Sequence, residues 1–545
     1  MNDRTAVQVQ TEPVVASPTE AAPGKAWERP LEIVLGVLAC VSILLFLITS
    51  VCRLRYPFPL EQLEGSMLLA AMRVAHGLPV YAQPNFHFIP YMYAPAYYYV
   101  SGWAVRLLGS TFFPLRLISL LSTCGSFAAI YTLVLLETKG AGQDRTGGRR
   151  HLAALTAAGL YAVAYPWTQN WFDLGRLDSF YVLLFLLALL TTRRLHPVLA
   201  AVVWTLTFLA KQTILPVALI MLCYDWKRPR RVLLGVASFF LMAAISVRWL
   251  NHATHGWFRF YAFTVPHANA DLLLRPMVFF LPSEMIAPFG AALLVIGIAW
   301  VVARPKIGSP ATRFYLLAGG STLALCWFLQ AHGGATGNTP MPMYAVLAAI
   351  FGISFGWVYL RFAPEKNWRW ARILVLVLAA IPLVSWVYYP HDRIPQRDLL
   401  ESHAELTRWV RSFPGDVFLP SNPYEAVAAG KEWHPDIAAL HDALRPDIPA
   451  IRQPLVETIR AEIDGEKFDA IALDGPPAQA LASQTWLPAD LQKHYPITGI
   501  VPGSEVFDPF APHPVYFLLP CREQALAVAK GWTLLQPGDQ APCSR

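Results

Sequence analysis

A chain of 545 residues that is 55% hydrophobic and 14% charged is too apolar for a soluble globular protein and reads as a polytopic membrane protein. Its net charge of +7 needs no nucleic acid to explain it, because the Lys and Arg gather in short loops on one side of the apolar runs. Among seven cysteines no zinc-type spacing occurs. Cys40, Cys52, Cys124, Cys223 and Cys326 lie in or beside apolar runs as inert thiols, whereas Cys521 and Cys543 lie in a polar stretch and can pair if that stretch is extracytoplasmic.

Residues 1–30 are polar, rich in Ala, Pro and Thr, and lack a cleavable-signal pattern, which predicts a disordered cytoplasmic tail. The first apolar run, 31–52, is long enough to cross ~30 Å of hydrocarbon. Lys25 and Arg29 ahead of it place the N-terminus inside and the next loop, 53–114, outside. That loop carries Glu61 and Glu64, three apart and on one face if helical. The run from Ser66 to His76 after them is amphipathic, suited to lie in the membrane interface and hold both acids at headgroup level. Residues 91–108 are apolar and aromatic but begin with prolines. They read as a membrane-inserted half-span, since a full crossing here would turn every later basic loop outward.

The remaining crossings are 115–136, 152–165, 179–190, 198–210, 214–224, 232–250, 277–302, 314–329, 343–360 and 373–389, about eleven with the first. The basic loops between them alternate with outer loops, so residues 31–389 form one transmembrane domain. From 390 to 545 charges and prolines return and no span follows. Runs at 417–419, 470–473 and 515–519 read as buried strands, and 404–411 and 455–463 as helices. This length suits one extracytoplasmic α/β domain. No internal repeat is evident.

Several ionisable groups fall on the outer side. Glu61 and Glu64 come from the first outer loop, Asp173, Arg176 and Asp178 from the second, and Lys211 and Gln212 follow. His332 and Asn338 arrive in a later outer loop with Gly333, Gly334 and Gly337, and His252, His255, His267 and Asp271 in another. Charges at membrane depth are rare unless they serve function. A carboxylate can take a proton from an acceptor hydroxyl or hold a divalent metal, and Arg and Lys can hold a phosphate leaving group. Plainer readings stand beside these: a local ion pair for Arg176 and Asp178, a snorkelling Lys211, a flexible glycine turn, and loop histidines without metal-ligand spacing.

Three groups of motifs, L-E-G with A-H-G-L-P-V-Y and Y-A-P-A-Y-Y-Y in the first loop, G-R-L-D-S-F-Y in the second, then A-K-Q-T and H-G-G-A-T-G-N, resemble those of the GT-C superfamily of membrane glycosyltransferases over residues 31–360. That group includes protein O-mannosyltransferases and lipid A aminoarabinose transferases. The resemblance implies a bacterial inner-membrane enzyme that transfers a sugar, with inversion, from a polyprenyl-phosphate or polyprenyl-diphosphate donor to an extracytoplasmic acceptor. By position it makes Glu64 the first-loop acid, acting as base or metal ligand, with Glu61 the alternative, and gives Asp178 and Arg176 a share of the site. Lys211, Gln212, His332 and Asn338 are then candidate substrate-binding residues. Characterised members carry Asp, or an Asp–Glu pair, where Leu63 and Glu64 stand here, and one Asp follows Arg176 where a D-x-D is expected. A divalent metal, Mg or Mn, at Glu64 and Asp178 is therefore left open. Two other classes remain: a transporter or flippase of lipid-linked glycans, which calls for mid-span polar residues and related halves, and a scaffold that binds a partner through its C-terminal part.

Overall fold

The computed structural model describes residues 28–139, 148–269, 272–332, 335–361, 369–445, 448–473, 475–477, 479, 481, 486–500, 506–508, 511–513, 515–529, 533–535 and 543. Nearly all of the expected N-terminal tail, Asp271, and Gly333 and Gly334 lie outside the described residues.

The protein is mostly helical. α1 (Glu28–Arg53) is followed by α2 (Glu64–Ala75), α3 (Ala96–Leu108), α4 (Phe112–Glu137), α5 (Gly148–Ala162), α6 (Leu177–Arg194), α7 (Pro197–Ala210), α8 (Leu215–Leu222) and α9 (Pro229–Ala253). Three short pieces, α10 (Trp257–Arg259), α11 (Val265–Ala268) and α12 (Leu274–Phe280), lead into α13 (Ala287–Ala303), α14 (Pro310–Gln330), α15 (Met341–Arg361) and α16 (Arg369–Ser385). Every one of the eleven expected crossings falls on a helix. Among the described residues, only five helical stretches are long and apolar enough to cross a membrane alone: Glu28–Arg53, Phe112–Glu137, Pro229–Ala253, Leu274–Val302 and Met341–Leu360. The others are shorter or less apolar, α14 having 21 residues and α6 18. The stretch from Leu274 to Val302 is interrupted by π-helical turns at Leu281–Ile286.

α15 is the central helix, packed on α4, α5, α13 and α14. Glycine makes one of these crossings close. A Cβ at Gly352 would lie 2.5 Å from the Ala157 Cβ of α5, so the two backbones approach as small residues allow in membrane bundles. α3 has 13 residues, about 20 Å at the helical rise, too short to cross. It exposes Tyr99, Val100, Trp103, Leu107 and Leu108 and packs on α2 and α4. The half-span reading of this segment is thus a short apolar helix.

α2 differs from expectation. Residues 64–71 are all buried against α3 and α18 (Pro423–Ala428), so this helix sits within the protein, not in the lipid interface. Its apolar positions surround the helix rather than forming one stripe: Met67, Leu68, Leu69, Ala70 and Ala71 are consecutive and each at most 2% exposed.

The C-terminal part holds a five-stranded sheet. β1 (Asp416–Phe418), β2 (Phe468–Leu473), β3 (Ile497–Ile500), β6 (Tyr516–Leu519) and β7 (Thr533–Leu535) lie in the order β1-β2-β6-β3-β7, and β4 (Val506–Asp508) pairs with β5 (Ala511–His513) in a separate hairpin. β1 and β2 are parallel and the other sheet pairs antiparallel, with Ile471 opposite Leu518. All six residues of β2 are buried, as expected of a strand covered on both faces. α17 (Arg397–Ser412), α19 (Ile437–Leu444) and α20 (Pro449–Asp464) complete the unit, and Cys521 is bonded to Cys543. Phe58 stacks on His403, and Phe112 meets Tyr424 edge to face, which ties the sheet unit to the first loop and to α4.

Candidate active site

The ends of α2, α4, α6 and α7 bring the acidic and basic residues together as three charge pairs. The innermost is Glu64, the first residue of α2, fully buried. Arg116 of α4 meets it with a two-pronged contact: Nε donates to Oε1 at 2.8 Å and Nη2 to Oε2 at 2.7 Å. The backbone N–H of Gly175 donates to Oε1 at 2.6 Å and that of Leu60 to Oε2 at 2.7 Å. Arg116 spends its remaining N–H groups on the carbonyls of Arg53, Tyr56 and Phe58. Burial pushes the Glu64 carboxyl up, but Arg116 and the two backbone donors overcome it and hold it below the usual range. Gly175 must be glycine here, since a Cβ would lie 2.9 Å from Glu64 Oε1 and 2.9 Å from the Leu115 Cβ.

The second pair is Glu61 with Arg176. Arg176 Nη1 donates to Glu61 Oε2 at 2.7 Å, and Nη2 to the Tyr93 hydroxyl at 2.7 Å. The guanidinium lies 4.5 Å from the Trp171 ring centroid, a cation–π seat that fixes its plane. Unlike Glu64, the Glu61 side chain retains 11% exposure. Burial pushes its carboxyl above the usual range against the pull of Arg176.

The third pair is Asp178, in the first turn of α6, with Lys211, the residue after α7. Lys211 Nζ lies 3.0 Å and Asn338 Nδ2 3.1 Å from Asp178 Oδ1, while Asp178 Oδ2 is buried without a hydrogen-bond partner. Lys211 therefore pairs with an acid as well as ending a helix. Gln212 acts as a brace, donating to the carbonyls of Met92 and Ala262 at 3.0 Å each. It pins the first loop to the α10–α11 region. Asp173 is held elsewhere, by Arg53 at 3.2 Å and by the Tyr165 hydroxyl at 3.0 Å. His332 forms a bridge with Leu272 and its ring meets Phe328; among the described residues no contact joins it to the three pairs. His252, His255 and His267 are exposed and form no cluster of metal-ligand type among the described residues.

Glu64 and Asp178 do not fit the metal role left open for them. Four donors fill the lone pairs of Glu64, and Asp178 faces a lysine. Each charge is answered by the chain's own cation.

Two contributions escaped the sequence reading. Arg116 stands inside the run 115–136, and an arginine within an apolar span is itself the signal that could have found it. The other is α19, which roofs the pairs. Asp436 caps its start by accepting from Ala438 N at 2.7 Å and is 1% exposed. Burial, with the Glu61 charge adding to it, pushes its carboxyl up to about 8. Asp442, farther along α19, is pushed up to about 7 by burial and acts on the Tyr93 hydroxyl, itself raised to about 12 by burial.

Residues 97–329 match the sequence profile of Glycosyltransferase family 87, a stretch that takes in Arg176, Asp178, Lys211 and Gln212 and begins after Glu61 and Glu64. The fold is similar to the crystal structure of ArnT from Cupriavidus metallidurans bound to undecaprenyl phosphate, at 14% identity and TM-score 0.55, covering 88% of this chain and 97% of that one. The apo structure of the same ArnT matches with TM-score 0.50 at 14% identity over the same shares. No curated protein matches the chain in sequence. The architecture is thus the GT-C fold of membrane glycosyltransferases, on a multi-pass chain with a C-terminal sheet.

Proposed function

We propose that this GT-C-fold membrane protein is an inverting glycosyltransferase that moves a hexosyl or pentosyl unit from a polyprenyl-phosphate-linked donor to an extracytoplasmic acceptor, a cell-envelope glycan, lipid or protein. The observation that carries this reading is the grouping of three acid–base pairs, Glu61–Arg176, Glu64–Arg116 and Asp178–Lys211, at the ends of helices that start or finish on one side of the bundle. The family match and the undecaprenyl phosphate bound by the similar ArnT structure support the donor class. The Cys521–Cys543 bond supports placing the C-terminal part in an oxidising, extracytoplasmic space.

The roles divide by how each group is engaged. Glu61 is the base: its carboxyl is partly exposed and held above the usual range, the direction of change that makes a carboxylate a better proton acceptor. It takes the proton of the acceptor hydroxyl as that oxygen attacks the anomeric carbon. The bond from that carbon to the phosphate oxygen breaks on the opposite face, and the lipid phosphate leaves with the electron pair. Arg176 and Lys211, each already beside an acid, turn to the phosphate oxygens as charge builds there. Glu64, the residue expected as base or metal ligand, is here the positioning residue that holds the loop bearing Glu61. Asn338 steadies Asp178, the partner of Lys211, and Gln212 keeps the first loop in register.

The test uses full-length protein in nanodiscs with undecaprenyl-phosphate sugars of several kinds. Release of undecaprenyl phosphate coupled to glycosylation of envelope extract, lost in Glu61→Gln with the fold kept, is the expected result. Movement of the lipid-linked sugar across the bilayer with no transfer would replace this reading with a flippase.

A further inference from the structure

Away from the three charge pairs, three side chains with metal-binding atoms meet where the first loop touches the C-terminal sheet, with a fourth, His87, beside them. Asp416 opens β1, Glu432 and His434 lie between α18 and α19, and His87 lies in the turn after Asn85. One ligand atom from each of Asp416, Glu432 and His434 lies within 4.8 Å of the others. His87 Nδ1 is 3.9 Å from Glu432 Oε2, and its ring centre is 5.8 Å from that of His434.

The hydrogens of His434 pose a problem that a cation solves. The ring is buried, with Nδ1 3.0 Å from the Phe86 carbonyl oxygen and Nε2 2.6 Å from Asp416 Oδ2. A carbonyl oxygen only accepts, so Nδ1 carries the hydrogen. In the neutral ring Nε2 then presents a lone pair to a carboxylate oxygen, which also only accepts. Two acceptors this close need a positive centre, either a second ring proton or a metal ion. The surroundings favour the ion. An imidazole whose Nδ1–H is held by a backbone carbonyl is the usual arrangement of a metal-ligating histidine. A second carboxylate, Glu432, stands at the same point, and a second imidazole, His87, lies 3.9 Å from it, beyond what one imidazolium needs. Lys467 is shared, 3.4 Å from Glu462 Oε1 and 3.6 Å from Glu432 Oε2, so the two acids at this point keep negative charge for the ion.

We propose that Asp416, Glu432, His434 and His87 bind a divalent transition metal, zinc by donor type. Imidazole nitrogen and carboxylate oxygen both ligate zinc, and four such ligands fill its tetrahedron. Zinc bonds of about 2.0–2.2 Å set neighbouring ligand atoms about 3.3 Å apart, so Asp416 turns its carboxylate outward on binding. Two of the ligands are exposed, His87 by 57% and Glu432 by 59% of the side chain, and are free to close on the ion. The metal then staples the turn at Phe86, whose ring packs on Phe418, His434 and Phe468, to the parallel edge of the sheet. It is structural and stands apart from sugar transfer.

Full-length protein in nanodiscs is stripped with a chelator, dialysed and titrated with zinc chloride, with bound metal read by plasma mass spectrometry and stability by thermal unfolding. About one zinc per chain and a raised midpoint are expected. Uptake is lost in His434→Ala, and zinc affinity falls at least tenfold in His87→Ala and Glu432→Gln, whose exposed positions leave folding intact. A stripped wild type that takes up no zinc overturns the proposal. Equal zinc affinity in wild type, His434→Ala and His87→Ala overturns it as well. Either result leaves the glycosyltransferase reading standing.

Discussion

Arg116 and Glu64 form a two-pronged buried pair, at 2.8 and 2.7 Å with neither side chain more than 1% exposed. The pair joins α4, the start of α2 and the Gly175 turn, and it orients the loop that carries Glu61. Removing one partner leaves the other charge buried and unanswered, which costs about 3–5 kcal/mol. Arg116→Met and Glu64→Gln are both expected to lower the thermal midpoint of the purified protein sharply. A midpoint unchanged in both variants would show that the pair does not hold the loop.

Glu61→Gln is the opposite case. The side chain is partly exposed and its partner Arg176 keeps Tyr93, so the fold survives. Transfer falls about 10²–10⁴-fold if Glu61 removes the acceptor proton. Because its carboxyl sits above the usual range, the base is protonated and idle at acidic pH. The rate therefore climbs with pH along a limb lying above the ordinary carboxylate range. A pH–rate profile of wild type without that limb would take the role from Glu61.

Much of this arrangement was readable from residue types, and the exceptions have physical causes. Each of the eleven apolar runs falls on a helix, because a run long and apolar enough for hydrocarbon is a local property of the sequence. Arg176, Asp178 and Lys211 stood out as charges at span ends. Arg116 was hidden inside an apolar run, and its meaning depends on Glu64, far away in sequence. α2 was read as interfacial because a half-polar helix buried by other protein looks the same as one buried by lipid. The roof formed by Asp436 and Asp442 had no local signal, since their surroundings exist only after the C-terminal unit closes over the first loop. β3 and β7 are short strands whose pairing, Thr498 opposite Leu518 and Leu535, is set by the sheet and not by their own pattern.

Lys211→Met tests the phosphate side of the site. It removes the ammonium that lies 3.0 Å from Asp178 Oδ1. A hydrogen bond to a charged group contributes about 1.5–3 kcal/mol, so binding of undecaprenyl phosphate is expected to weaken by about tenfold or more. Asp178→Asn, which frees Lys211 from its partner, leaves that binding intact or tightens it while lowering the rate. Isothermal titration with the lipid in nanodiscs separates the two variants. Equal weakening in both would mean that Lys211 serves only to neutralise Asp178.

Asp436→Asn isolates the roof. The Asp436 carboxyl is pushed up to about 8 in the folded protein, against about 3.9 in an unfolded chain. The folded state thus holds this proton more tightly. Its contribution to stability is complete below about pH 4 and is lost as pH rises toward 8. Asparagine caps a helix as aspartate does and has no proton to lose. The variant and wild type are therefore expected to unfold at similar temperatures near pH 4.5, with the variant ahead by a margin that grows up to about pH 8. Thermal midpoints measured at three pH values decide the matter, and a constant difference would mean that Asp436 stays ionised under α19.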